Sequence, residues 1–122
     1  MEWKLQGGLP VYQQIFRQLR DGVLSQEYPP GSPVPSIREL AAQAKVNPNT
    51  MERALWLMER EGYIVSGETG PCFAGDEEIL KRMYHQQLDE VTKECAGRFA
   101  CVGLTPEQGA QLLMRLTEKE VK

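Results

Sequence analysis

The chain has 122 residues, 41% apolar and 25% charged, enough for one domain with its own core or a small domain with a short appendage. No run approaches the roughly 18 apolar residues of a membrane span, and Met1-Glu2-Trp3-Lys4 does not open a secretory signal, so a cytoplasmic location is expected. The net charge of −3, with 7 Lys+Arg against 8 Asp+Glu up to Gly75, excludes a generally basic nucleic-acid binder.

Residues 1–9 carry no periodicity and read as a lead-in. From Pro10 onward, Tyr12, Ile15, Phe16, Leu19 and Val23 fall at helical spacing on one face, and Tyr28-Pro29-Pro30-Gly31 marks a turn. A short extended piece around Val34 follows, between Pro33 and Pro35. Ser36 with Glu39 three residues later reads as a capping box, opening a short helix with Ile37, Leu40, Ala41 and Ala44 inward. A tight turn at Lys45 leads to Asn47, a favourable N-cap, with Pro48 at the first helical position. This second helix turns Met51, Ala54, Leu55 and Met58 inward and stops at Gly62, a residue suited to the position after a helix end.

Tyr63-Ile64-Val65 and Cys72-Phe73-Ala74 read as two strands around the turn Gly67-Glu68-Thr69-Gly70. Two short helices across a tight turn form the unit that lays its second helix in a DNA groove, and the hairpin makes it winged. After Gly75, Leu80, Tyr84, Leu88, Val91 and Cys95 form a narrow helical stripe, with a break expected between Gly97 and Gly103. Thr105-Pro106-Glu107-Gln108 is a second capping box, opening a last helix with Leu112, Leu113 and Leu116 on one face. Two such helices bury little by themselves, so a second copy of the chain is the simplest partner.

The fold class expected is therefore mostly α with a small β-hairpin wing. A winged helix-turn-helix occupies residues 10–75, and a C-terminal two-helix dimerisation segment occupies 76–122. Three cysteines, Cys72, Cys95 and Cys101, read as reduced thiols. Cys95 and Cys101 lack zinc spacing; Cys95 continues the apolar stripe, and a thiol switch at the dimer interface is the alternative. His85, the only histidine, reads as a surface residue. Packing is the default reading for Trp3 and Trp56, a ligand-stacking platform the alternative. No phosphate-cradling loop, metal motif or nucleophile–base constellation is present, so neither enzyme chemistry nor a cofactor or metal is expected.

The segments Pro10-Val11-Tyr12-Gln13-Gln14-Ile15, Pro30-Gly31, Pro35-Ser36-Ile37-Arg38-Glu39-Leu40-Ala41, Val46-Asn47-Pro48-Asn49-Thr50 and Leu57-Met58-Glu59-Arg60-Glu61-Gly62, in that order, resemble the GntR family of bacterial transcription regulators. The resemblance covers about residues 10 to 75, and the short tail is similar to that of the YtrA-type subfamily. It implies a DNA-binding regulator, expected to be a homodimeric repressor acting on an inverted-repeat operator of its own or a neighbouring transporter-type operon. DNA contacts are implied at Ser36, Arg38, Asn47, Pro48, Asn49, Thr50 and Arg53, with Gly67, Thr69 and Gly70 in the wing. Dimerisation is expected through Leu80, Tyr84, Leu88, Val91, Leu112, Leu113 and Leu116.

The chain departs from the family pattern in three places. The wing tip lacks a basic residue and carries Glu68, Lys45 stands where glycine is common, and Glu52 lies beside the implied contacts. The acidic balance, Glu52 and the wing without a basic residue favour the rival reading, a winged-helix protein-interaction module that has lost DNA binding. A small-molecule effector, if the protein has one, is expected between domains or subunits, because the tail is too short to enclose a large pocket.

Overall fold

Pro10 presets the backbone for the first helix, and its carbonyl accepts the N–H groups of Gln13 and Gln14 at 3.1 and 3.2 Å. The computed structural model describes residues 3–5 and 8–120; the remainder of the lead-in, and residues 121–122, lie outside the described residues. In chain order the elements are α1 (Val11–Leu24), α2 (Ile37–Ala44), α3 (Pro48–Arg60), β1 (Ile64–Gly67), β2 (Gly70–Phe73), α4 (Glu77–Cys101) and α5 (Pro106–Glu120). They form two compact units, Met1–His85 and Gln86–Lys122.

The first unit is a winged helix-turn-helix. Ile15, Phe16, Leu19 and Val23 of α1 meet Leu40, Ala41 and Ala44 of α2 and Met51, Ala54 and Met58 of α3, all buried. Tyr63, Ile64, Phe73, Ala74 and Met83 close the same core, with the Phe16 and Tyr63 rings stacked at 6.0 Å. Burying a side chain of the size of Leu or Met contributes roughly 1.5–3 kcal/mol, so α3 is anchored chiefly by Met51 and Met58. Ile37, expected inward, lies 37% exposed, because it sits in the first turn of α2, beyond the reach of the core. Arg20, unremarkable in sequence, is 1% exposed and pairs with Asp21 at 2.9 Å.

The helix ends follow their local signals. Lys45 adopts φ +57, the left-handed conformation that glycine takes more cheaply, while the Val46 N–H closes α2 onto the Ala41 carbonyl at 3.0 Å. Gly62, at φ +81, ends α3 in the same way, with the Tyr63 N–H on the Met58 carbonyl at 2.8 Å. That bond commits Tyr63 to the helix end, so β1 starts one residue later than the sequence suggests. The hairpin pairs Ile64 with Phe73 through Gly67 with Gly70 around a two-residue turn, Glu68-Thr69. Ser32 to Val34 adds a further extended piece along β2, with Phe73 N–H to Ser32 O at 2.9 Å and Val34 N–H to Pro71 O at 3.0 Å.

α4 runs through Gly97 and ends at Cys101, within the break expected between Gly97 and Gly103. One glycine inside a helix costs only about 1 kcal/mol relative to alanine, too little to stop one without a closing motif. The stop comes at Gly103, where the Leu104 N–H bonds the Phe99 carbonyl at 3.0 Å and the Gly103 N–H bonds that of Ala100 at 3.0 Å. α5 then opens on the full reciprocal cap: Gln108 N–H to Thr105 Oγ1 at 3.2 Å and Thr105 N–H to Gln108 Oε1 at 2.9 Å. Buried Gly109 of α5 lies against the ring of Phe99 of α4.

Candidate nucleic-acid interface

The two helix N-termini on this face differ in what they offer an anion. At α3, Pro48 has no N–H, Asn49 N–H is taken by Asn47 Oδ1 at 2.8 Å, and Thr50 and Met51 both bond the Asn47 carbonyl. The free amides that a helix start usually presents are therefore used internally, and only the side chains and the dipole remain. At α2, Ser36 Oγ accepts from Glu39 N–H at 3.1 Å and the Ser36 carbonyl from Leu40 N–H at 3.0 Å. The return bond from Glu39 that would complete the expected capping box is not made among the described residues. The amides of Ile37 and Arg38 have no protein acceptor among the described residues, so this end presents two open donors beside the Arg38 side chain.

The exposed side of α3 divides lengthwise. Asn49 lies near its midline. On the flank toward α1, Thr50 and Arg53 share a notch of about 330 Å³ with Val11, Tyr12 and Asn49, and no carboxylate lines it. The Arg53 guanidinium sits 3.9 Å above the centroid of the Tyr12 ring. On the opposite flank Glu52, Trp56 and Glu59 line a groove of about 560 Å³, floored by apolar residues from Val34 to Ile37, Leu55 and Ile64. Trp56, for which packing was the default, is 55% exposed in that groove, with Arg60 5.4 Å from its ring. The recognition-helix face is thus cationic on one side and anionic and apolar on the other. Residue spacing alone distinguishes these flanks, but the neighbours supplied by α1 and the hairpin do not show in sequence.

The structure brings Ser36, Asn49 and Arg53 to the exposed surface of the helix-turn-helix and leaves Thr50 half-buried, with Asn47 as a cap and Pro48 exposed beside it. Arg38 and Lys45 are exposed and have no ion pair among the described residues. In the wing, Gly67 and Thr69 are exposed and Gly70 is half-buried; Glu68, its only charged residue, is exposed. Cys72, Cys95 and Cys101 are free thiols.

Of the residues expected to dimerise, Leu80 is half-buried and packs against the core of the winged head. Tyr84, also in the first unit, is 50% exposed. In the second unit Leu88, Val91, Leu112, Leu113 and Leu116 are exposed, as is Met114, which sequence reasoning omitted. Its signal was available: Met114 falls between Leu113 and Leu116 in an apolar run. None of the described helices is long and apolar enough to cross a membrane.

A three-helix head, a two-stranded wing and an exposed second helix of the helix-turn-helix define a winged-helix DNA-binding protein. Residues 11–73 match the family described as bacterial regulatory proteins, gntR family. The chain is 33% identical over 119 residues to the uncharacterized HTH-type transcriptional regulator YhcF of Bacillus subtilis (strain 168), covering 97% of this chain and 98% of that one. It is 44% identical over 55 residues to the HTH-type transcriptional repressor YtrA of the same organism, covering 45% and 42% of the two chains. A GntR family transcriptional regulator from Listeria monocytogenes shares the fold, with a TM-score of 0.75 at 22% identity over 91% of this chain and 98% of that one. The chain belongs to the GntR family of bacterial transcription regulators. It is a DNA-binding transcription regulator and not an enzyme.

Proposed function

We propose that the protein is a cytoplasmic homodimeric repressor that binds an inverted-repeat operator controlling its own or a neighbouring transporter-type operon. The observation that carries this reading is the exposed N-terminus of α2, with Arg38, on one flank of α3, and the exposed Asn49 and Arg53 with half-buried Thr50 on α3 itself. A phosphate on the α2 amides leaves Asn49 at the midline of α3, turned toward base edges, where an asparagine side chain pairs with adenine. The exposed leucines of the second unit support dimerisation, since about half a dozen large apolar side chains on two helices are not stable in water without a partner surface. Two heads related by a two-fold axis address half-sites about 34–36 Å apart, one duplex turn. The name of the relative YtrA, a repressor, supports the direction of regulation.

Fluorescence anisotropy on the upstream region of the gene tests the reading. Specific binding at moderate salt should exceed binding to random duplex by at least about a thousandfold. Arg38→Ala should weaken it, and equal affinity for operator and random duplex would refute the reading. Glu52 and Glu59 around the Trp56 groove favour one alternative, a protein-interaction module. That alternative gains if no duplex from the gene's surroundings is preferred.

A further inference from the structure

Arg53 is held closer to an aromatic face than Arg60 over Trp56 or Arg82 over Tyr63, each 5.4 Å from its ring. Its guanidinium lies against the face of Tyr12, 3.9 Å from the ring centroid, and no ion pair engages it among the described residues. Stacking uses the face of the guanidinium and leaves its N–H edges free for an acceptor. Tyr12 is half-buried against the core on α1, so the ring is a fixed platform, unlike a solvated side chain. Its hydroxyl already accepts from Gln13 Nε2 at 3.2 Å, which leaves the O–H proton to donate. Thr50 and Asn49 bring a hydroxyl and an amide to the same notch. The backbone amides at this end of α3 are used by Asn47, so an anion here must be held by side chains.

We infer that the notch between α1 and α3 is a seat for one backbone phosphodiester of DNA, with Arg53 gripping the phosphate and Tyr12 positioning Arg53. The inference rests on the DNA-binding reading and sharpens it. Arg53 sets the register of the head on the duplex and does not read a base. A base-reading arginine must extend into the groove along the helix face, whereas this one is turned toward α1 by the ring beneath it. The notch has no carboxylate in its lining, whereas Glu52 and Glu59 line the opposite flank, so an arginine holds a phosphate unopposed on the α1 side of the helix. Tyr12 is then a positioning residue, although its helical spacing marks it as part of the α1 core face.

The test uses the full chain and its operator, with phosphates replaced one at a time by neutral methylphosphonates. One position in each half-site should lose about ten- to a hundredfold in affinity with wild-type protein, the scale of a charge-assisted hydrogen bond. In Arg53→Met that position should lose nothing further. Arg53→Met should also flatten the dependence of log affinity on log salt by about 0.9 per protomer, and equally for every single-base operator variant. Tyr12→Phe should keep the grip; Tyr12→Leu should lose it in the wild-type background and cost nothing in the Arg53→Met background, which separates positioning from misfolding. If Arg53→Met instead relaxes preference at a single base pair and leaves the salt dependence intact, the inference is overturned. It is likewise overturned if Tyr12→Leu weakens binding equally in both backgrounds. A wild-type chain that prefers no duplex overturns the DNA-binding reading and this inference together.

Discussion

The salt dependence of operator binding follows from the few cations that the head presents. Arg38, Lys45 and Arg53 are exposed and have no ion pair among the described residues, while Arg60 is drawn over Trp56. If Arg38 and Arg53 alone neutralise phosphates, a dimer makes four contacts and log affinity falls against log salt with a slope of about −3.6. With Lys45 added there are six, and the slope is about −5.4. Between 50 and 200 mM salt the affinity should thus fall by roughly 150-fold to 2,000-fold. Anisotropy titrations at five or six salt concentrations measure this directly. Arg38→Ala should flatten the slope by about 1.8 for the dimer, one contact per head. A slope steeper than about −7 would mean that cations outside the head bind DNA, and one flatter than about −2 that the face does not engage phosphates; either refutes the assignment.

Two further outcomes concern stability. Tyr28 Oη is buried with no hydrogen-bond partner among the described residues, while its ring stacks on Phe73 at 5.0 Å. Tyr28→Phe keeps the stack and removes a hydroxyl whose desolvation costs about 1–3 kcal/mol, so thermal unfolding should shift upward by several degrees. Burial, with a smaller contribution from the Glu27 charge, also holds the Tyr28 proton beyond its ordinary value of 10.0. The folded state then keeps a proton that the unfolded state releases. The contribution is complete below pH 10 and lost as pH rises from there through the higher folded value, so the advantage of Tyr28→Phe over wild type should grow only in that range. An unchanged or lowered melting temperature for Tyr28→Phe would count against the unpaired hydroxyl. In the second unit, a Cβ on Gly109 would stand 2.6 Å from Phe99 Cε2. Gly109→Ala should therefore speed hydrogen exchange around Phe99 despite its better helix propensity, and Phe99→Leu in the same chain should restore protection.

The residues that choose local conformation were legible in sequence. Asn47-Pro48, Gly62 and the Thr105–Gln108 pair each act within a few residues of themselves, so the helix starts and stops follow from them. Of the two glycines that bracket the break after α4, Gly103 makes the stop and Gly97 stays helical, because a lone glycine weakens a helix without offering the orphan carbonyls another partner. What stayed hidden was tertiary. Tyr12 and Arg53 are 41 positions apart and meet only because α1 packs beside α3. Trp56 was assigned to packing because a large aromatic is usually covered, yet it stands 55% exposed in the groove it shares with Glu52, Glu59 and Ile64. The competition between the Asn47 cap and an incoming phosphate for the same amides likewise becomes visible only when each N–H is followed to its acceptor.

The hairpin decides where variation in this regulator can act. A Cβ at position 67 would lie 2.5 Å from Cys72 Sγ, and Gly70 holds φ +129, a conformation that L side chains rarely adopt, so both positions favour glycine. Between them only Glu68 and Thr69 stand clear of the fold. Mutational drift at the tip is therefore confined to two adjacent letters, and one of them now bears a negative charge. A basic residue there would turn a passive loop into a second grip on the duplex without disturbing a single core side chain.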